Sequence, residues 1–310
     1  MTKLARRIII LATGTAALWL VPVPVASQAL FPRDAPKEPG AKSWALERAK
    51  LPPFVPPRTS NGRPDLRGRW AGTPGGDDLE EHDYVDISSP PEESFIADPP
   101  DGKVPYQPWA LIRRGEHRAG LARGWPGQTG ERLYADPQTY CLYAVPRATY
   151  RGGFQIQQGQ GYVLITFNFG HYYRLIPTDG RSRDVGDGVK LWMGRSRGTW
   201  EGNTLVVDVR NLNAKNWLDQ VGNFFSDNVH LVERFTLADA NTIDYEVTID
   251  DSTVFTKPWT IRLPFRRAGA ATSDLYSNEM WEHACHEGNE STEQMRTLGF
   301  KWFSGVVPPN

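Results

Sequence analysis

A carboxylate stands on the apolar face of the predicted strand Asn228–Leu237. Side chains alternate between the two faces of a strand, so Glu233 shares its face with valine, leucine and phenylalanine side chains. An unpaired charge in apolar surroundings is costly, so we expect this carboxylate to be paired, protonated or functional. Burial could raise its pKa and make it a general acid or base, or it could form an ion pair with an arginine of a neighbouring strand, for example Arg174 or Arg262. The third alternative is that Glu233 lies on an exposed edge of the sheet.

The opposite face of the same strand carries His230 and Arg234. A regular strand cannot place Glu233 and His230 in one pocket, because successive side chains point to opposite faces. If the second face lines the cavity, His230 and Arg234 form the site, and Glu233 is a buried structural partner. The sequence leaves both arrangements open.

A second polar pair lies in the segment HYYRLIP, residues 171–177. His171 is a candidate proton shuttle at neutral pH, because its ordinary pKa is near 6.5. Arg174 is a candidate for holding a carboxylate or phosphate, since a guanidinium presents a planar fork of donors. The predicted catalytic residues are Glu233, His171, Arg174 and His230.

Aromatic side chains among the predicted strands provide flat surfaces for a small organic or sugar-like ligand. The alternative is that they pack in the core of a β domain. Glu282, near the chain end, and Arg234 are polar candidates at a pocket edge. The predicted ligand-binding residues are Trp192, Trp200, Trp259, Tyr173, Arg234 and Glu282.

Two cysteines occur in the sequence, Cys141 and Cys285. In an exported protein they are expected to form one disulfide. The alternative is that Cys285 ligates a metal within the cluster HACHE, residues 283–287, but that spacing matches no standard zinc pattern. We therefore predict a disulfide and no metal.

The charge balance argues against nucleic-acid binding. Lysine and arginine number 35 against 36 aspartate and glutamate residues, so the chain has no basic excess to attract a polyanion. The sequence contains no phosphate-binding loop, dinucleotide fingerprint, haem attachment motif or HExxH zinc motif. We predict that the protein uses no cofactor.

The N-terminus has the proportions of a signal peptide over residues 1–29. A basic start at Lys3, Arg6 and Arg7 precedes an apolar run that ends before Pro22. We therefore predict a periplasmic or secreted protein with no stable membrane span after cleavage. An extended Pro-rich arm over residues 30–65 should precede a single β domain over residues 66–310.

Short alternating runs separated by turn residues predict an antiparallel β domain. It should include an irregular wrap over residues 87–107 and one short helix over residues 108–123. Because no long helix separates the strands, we predict a lipocalin-like barrel or a strongly curved sandwich. The predicted strands are Phe154–Gln158, Gly161–Phe169, His171–Pro177, Lys190–Gly194, Thr204–Arg210, Asn228–Leu237, Thr242–Asp250 and Trp259–Arg266.

Several short sequence motifs resemble those of known protein groups. Gly68-Arg69-Trp70 is similar to the Gly-x-Trp that opens lipocalin-like (calycin) barrels. With DGR at 179–181, GTWEGNTLVV at 198–207, SDNVHLVERF at 226–235 and TKPWT at 256–260, the chain resembles a group of exported bacterial β-rich proteins without an established activity. The resemblance implies export and a compact β fold, and it assigns no residue a role.

Two functions from different classes fit these features. The first is cofactor-free acid–base catalysis of a lyase, hydratase or isomerase type, with Glu233 or His171 moving the proton and Arg174 binding negative charge. The second is a non-catalytic, lipocalin-like ligand carrier or binding protein of the cell envelope.

Overall fold

The second half of the chain folds into consecutive antiparallel strands. The computed structural model describes residues 39–71, 78–81, 93–120, 134–181, 186, 188–269, 280, 285 and 301–302. The predicted signal peptide and Glu282 lie outside these residues. The helices are α1 (Ala41–Lys50), α2 (Pro108–Gly120) and α3 (Arg147–Tyr150); the strands are β1 (Gly68–Ala71), β2 (Ile96–Asp98), β3 (Tyr134–Ala135), β4 (Phe154–Gly159), β5 (Tyr162–Phe167), β6 (Tyr173–Pro177), β7 (Arg195–Glu201), β8 (Thr204–Arg210), β9 (His230–Asp239), β10 (Thr242–Asp250), β11 (Trp259–Arg267) and β12 (Lys301–Trp302).

Ten strands of the described part form one antiparallel sheet that is nearly closed into a barrel. Its order is β6-β5-β4-β1-β11-β10-β9-β8-β7, and β2 pairs with β11 outside this path. Strands β4 to β6 and β7 to β11 are two meanders, because each strand pairs with its neighbour in sequence. The predicted mainly β, barrel-like fold is therefore confirmed.

Strand β1 joins the two meanders. Its residue Trp70 pairs with Phe154 of β4 on one side and with Arg267 of β11 on the other. Strand β2 continues along the other half of β11, where Ile96 pairs with Ile261. The Gly-x-Trp motif thus lies in β1, the strand that completes the sheet between β4 and β11.

The barrel closes at a seam between β6 and β7, the two ends of the strand order. Eight antiparallel pairings separate these strands, so they run in the same direction. A Cβ on Gly198 would lie 2.9 Å from Cγ2 of Ile176, so only a glycine lets β7 approach this closely. The Arg174 Nε donates a hydrogen bond of 2.7 Å to the Ser196 hydroxyl across the seam.

Helix α1 packs on the outside of the barrel. Trp44 is buried there, and its indole N–H donates to Asp244 Oδ1 at 2.8 Å. The guanidinium of Arg266 lies 5.3 Å from the centre of the Trp44 ring, at a cation–π distance. The first part of the described arm is therefore helical and docked against the sheet.

One end of the barrel is plugged by the segment 211–229, which connects β8 to β9. Its apolar side chains, including Leu218 and Phe225, are buried in the main core. Helix α2 covers this segment, and the rings of His117 and Trp217 stack with centres 5.3 Å apart. Since inward-facing side chains of the strands pack against the same core, the barrel is filled with side chains over most of its length.

The prediction of a strand at Lys190–Gly194 is wrong. The apolar residues in this segment are typical of a strand, but Leu191 forms only an isolated bridge to Leu212. The actual strand, β7, places Ser196 and Gly198 on its buried face, and such residues give no alternating apolar signal.

No helix in the described part of the chain is long and apolar enough to cross a membrane.

Candidate ligand-binding site at the barrel mouth

A tight hairpin of the Pro-rich arm lies at the end of the barrel opposite the plug. We call this end the mouth and the hairpin, residues 57–65, the strap. The backbone N–H of Asp65 donates to Pro57 at 2.8 Å, and that of Thr59 donates to Arg63 at 2.9 Å. Gly62 turns the chain with a φ of +78°, a conformation that L side chains rarely adopt. The strap is thus an ordered hairpin.

Side chains fix the strap to both sides of the mouth. The Gln158 amide at the end of β4 donates to the Pro64 carbonyl at 3.0 Å and accepts from the Leu66 N–H at 2.7 Å. The Arg58 guanidinium donates to Asn203 Oδ1, in the β7–β8 turn, at 2.9 Å. The strap therefore reaches from β4 to the β7–β8 turn along the rim.

A pocket of about 510 Å³ opens beneath the strap. The strap contributes Asn61 and Arg63, the β4–β5 turn contributes residues 158–163, and the segment after β6 contributes residues 178, 179 and 181. Trp200 of β7 forms part of the wall and packs against the main core. The pocket therefore combines the aromatic rings of Trp200 and Tyr162 with amide, hydroxyl and charged groups.

The charges in this pocket do not cancel. Arg181 donates to the Asp179 carboxylate from its backbone N–H, at 3.1 Å, and from its guanidinium. These hydrogen bonds, the backbone one first, hold the pKa of Asp179 below its ordinary value. Arg63 is exposed and carries a second positive charge. Among the lining residues that the structure describes, Arg63, Asp179 and Arg181 together leave a net positive charge in the pocket.

Glu233 lies in the interior of the barrel, and its partners there decide between a free acid or base and an ion pair. Its carboxylate faces inward, forms an ion pair with Arg174 of β6, and accepts a hydrogen bond of 2.8 Å from the Tyr245 hydroxyl. The Glu233 and Arg174 side chains are 0 % and 2 % exposed. Burial, then the nearby Glu233 charge, raises the pKa of Tyr245 well above its ordinary value, so this hydroxyl stays protonated and donates. This arrangement corresponds to the ion-pair alternative.

The outer face of β9 carries the alternative site predicted around His230. His230 Nε2 lies 2.5 Å from Asp208 Oδ2, and Arg234 pairs with Glu201 at 2.9 Å. Both pairs lie on the outside of the sheet, away from Glu233. Because the Arg234 and Glu201 side chains are 40 % and 55 % exposed, solvent screens their attraction.

The other predicted site residues are distributed over the barrel. Trp259 is buried in the core, Trp192 is partly buried, and Tyr173 is largely exposed on the outer face of β6. His171 ends a short 3₁₀ turn that precedes β6. Of the predicted ligand-binding residues that the structure describes, Trp200 is the one that lines the mouth pocket.

A buried pair of carboxylates lies at the plugged end. Asp219 accepts hydrogen bonds of 3.1 Å from the backbone N–H groups of Val221 and Asn223, and the Asn223 side chain also donates to it. Burial, then the charge of Asp219, raises the pKa of Asp78 to about 8. Asp78 therefore holds a proton at neutral pH.

The neighbours of this acid pair are also buried and linked. Arg114 of α2 donates to Glu80 at 2.9 Å and to Asn223 at 3.2 Å. Burial lowers the pKa of His117 to about 4, so its ring is neutral at neutral pH. Because these groups connect α2 to segment 211–229, the cluster contributes to the stability of the plugged end.

Cys141 and Cys285 form a disulfide, as predicted. The alternative role of Cys285 as a metal ligand is therefore wrong, because its sulfur is bonded to Cys141. The described residues also contain no group of three histidine, cysteine, aspartate or glutamate side chains placed to hold a metal ion.

The strap residues and the acid pair were not among the predicted site residues. Arg63 follows an Asn-Gly dipeptide, which is a turn signal, but the surrounding prolines favoured an extended arm. Asp179 and Arg181 belong to the word DGR, which had no assigned role. Asp78 and Asp219 are 141 positions apart, and neither lies in a motif that indicates burial.

Comparisons with protein-family models, curated proteins and solved structures found no match. The resemblance to exported β-rich proteins therefore stays a prediction.

Proposed function

We propose that this protein is an exported, non-catalytic β-barrel that binds a small sugar-like molecule at its mouth. The observation that carries the proposal is the pocket of about 510 Å³ with Trp200 in its wall and the strap along its rim. Small-molecule sites typically have volumes of roughly 300–1,000 Å³. The disulfide and the basic, then apolar, N-terminus support export.

The chemistry of the lining favours a hydroxyl-rich ligand. The indole of Trp200 offers an apolar face on which a sugar ring can stack. Asn61, Gln160 and Thr178 offer amide and hydroxyl groups that both donate and accept hydrogen bonds. A purely apolar ligand would leave these polar groups unsatisfied, which is unfavourable.

Binding without turnover is favoured over acid–base catalysis. A general acid or base must come within hydrogen-bond reach of the substrate. Glu233 is fully buried and already bound to Arg174 and Tyr245. At the mouth, Asp179 is held ionised by Arg181. The carboxylates in these two places are therefore already bound to partners within the protein, while the mouth retains the features of a binding site.

Replacing Trp200 by alanine should weaken sugar binding by at least about tenfold, because the stacking surface is lost. The probes are maltotriose, cellotriose, chitotriose and digalacturonate, with affinities measured by isothermal titration calorimetry. The matched control is Trp192→Ala, since Trp192 is also partly buried but does not line the pocket. This control should bind as the unmodified protein does.

The proposal fails if none of the four probes binds, or if Trp200→Ala and Trp192→Ala affect binding equally. Product formation from a bound probe, followed by mass spectrometry, would favour the catalytic alternative. Loss of that activity in Trp200→Ala alone would then place the reaction at the mouth.

A further inference from the structure

The strap brings an uncompensated positive charge to the mouth. Asp179 and Arg181 neutralise each other. Within the part of the chain that the structure describes, no carboxylate forms an ion pair with the Arg63 guanidinium. The pocket thus has an arginine available to a ligand, beside a charge pair that is already satisfied.

The backbone around Arg63 is well fixed. Its carbonyl accepts hydrogen bonds from the Thr59 N–H at 2.9 Å and the Thr59 hydroxyl at 3.1 Å. The next residue, Pro64, is buried and bound by Gln158. The start of the Arg63 side chain is therefore fixed relative to β4, which reduces the ordering needed when its guanidinium binds an anion.

We propose that the ligand is an acidic saccharide whose carboxylate binds Arg63 while a sugar ring stacks on Trp200. The inference rests on the proposed binding function of the mouth. A guanidinium and a carboxylate can form two parallel hydrogen bonds, which gives both orientation and charge recognition. Arg63 and Trp200 line the same pocket, so one ligand can contact both.

A carboxylate fits this charge better than a phosphate does. A phosphate monoester carries about −1.5 to −2 charges at neutral pH, whereas a carboxylate carries a single charge. Among the lining residues that the structure describes, one guanidinium is uncompensated, and none of them belongs to a helix N-terminus, the usual phosphate-binding element. A uronic acid unit, which is a sugar bearing one carboxylate, matches both the charge and the aromatic wall.

The test compares digalacturonate with its dimethyl ester, which keeps the rings and removes both carboxylate charges. Calorimetry of the full chain in low salt should show the acid binding at least about tenfold more tightly than the ester, as expected for a charge-assisted pair. Arg63→Gln should remove this preference, and Arg63→Lys should restore part of it. Raising the salt to physiological ionic strength should weaken the acid more than the ester.

Arg67→Gln is the matched control. Arg67 lies just beyond the strap, is exposed, and pairs with Asp65 instead of lining the pocket. This variant removes the same charge and should keep the preference for the acid. An equal loss in Arg67→Gln and Arg63→Gln would show general electrostatic attraction and would overturn the inference.

Two further results separate this inference from the proposed function. Equal binding of acid and ester, or binding of neutral trisaccharides alone, would overturn acidic specificity and leave the binding function standing. Tighter binding of glucose 6-phosphate than of galacturonate would overturn the choice of carboxylate. Failure of every probe, neutral or acidic, would remove the proposed function and this inference together.

Discussion

Replacing Arg174 by methionine is expected to lower the free energy of unfolding by about 3–5 kcal/mol. The change leaves the Glu233 carboxylate inside the barrel with the Tyr245 hydroxyl as its remaining partner among those described above. It also removes the hydrogen bond to Ser196 across the seam. Urea denaturation followed by circular dichroism measures the effect.

The matched control is Arg234→Met on the outer face of β9. Its partner Glu201 stays exposed to water when the arginine is lost, so the expected change is about 0–1 kcal/mol. The double variant Arg174→Met, Glu233→Leu should recover much of the loss, because no buried charge remains. A loss in Arg174→Met no larger than in Arg234→Met would contradict the structural role of the interior pair.

Replacing Asp78 by asparagine is expected to change how stability depends on pH. The pKa of Asp78 is about 8 in the folded protein and near 3.8 when the chain is unfolded. Between these values the folded protein holds a proton that the unfolded chain has released, so stability falls as pH rises from about 4 to about 8. Asparagine cannot ionise and should remove this contribution.

The expected result is that Asp78→Asn gains stability relative to the unmodified protein on going from pH 4.5 to pH 8. We expect a relative gain of roughly 2–4 kcal/mol, which is less than the full pKa difference would give at about 1.4 kcal/mol per unit. Thermal unfolding at both pH values measures it. This comparison holds even if asparagine packs less well, since a packing defect is independent of pH.

The control is Asp101→Asn. Asp101 is exposed and accepts a hydrogen bond from the backbone of Lys103. Its replacement should shift the unfolding temperature similarly at both pH values. If Asp78→Asn also shows the same shift at pH 4.5 and pH 8, then Asp78 is not the group that holds the buried proton.

The sequence alone identified the apolar face of β9 but left open whether that face or the His230 face points inward. Period-two alternation identified Glu233 as a carboxylate among apolar neighbours, and this residue is buried. The choice between Arg174 and Arg262 was out of reach, because it depends on β6 approaching β7 across the seam. Arg262 instead binds Asp244, the same carboxylate that accepts the indole N–H of Trp44 from α1.

Most of the mouth site could not be predicted from the sequence, for a related reason. Trp200 was a candidate because tryptophan commonly lines ligand sites. The position of Arg63, however, is set by hydrogen bonds between the strap and Gln158, which is 94 positions from Pro64. Local sequence patterns report turns and strand faces, whereas such long-range contacts appear only in the folded chain. The same limit concealed the pairing of Asp78 with Asp219.

The position of β1 has a consequence for the order of folding. Because Trp70 pairs with Arg267, the sheet between the two meanders is completed by residues almost 200 positions apart. Because synthesis starts at the N-terminus, the local hairpins can form early. Strand β1, however, can pair with its second partner only after β11 has been synthesised. Contacts of such long sequence separation slow folding. We therefore expect the strap, and with it the mouth, to be among the last parts of the protein to become ordered.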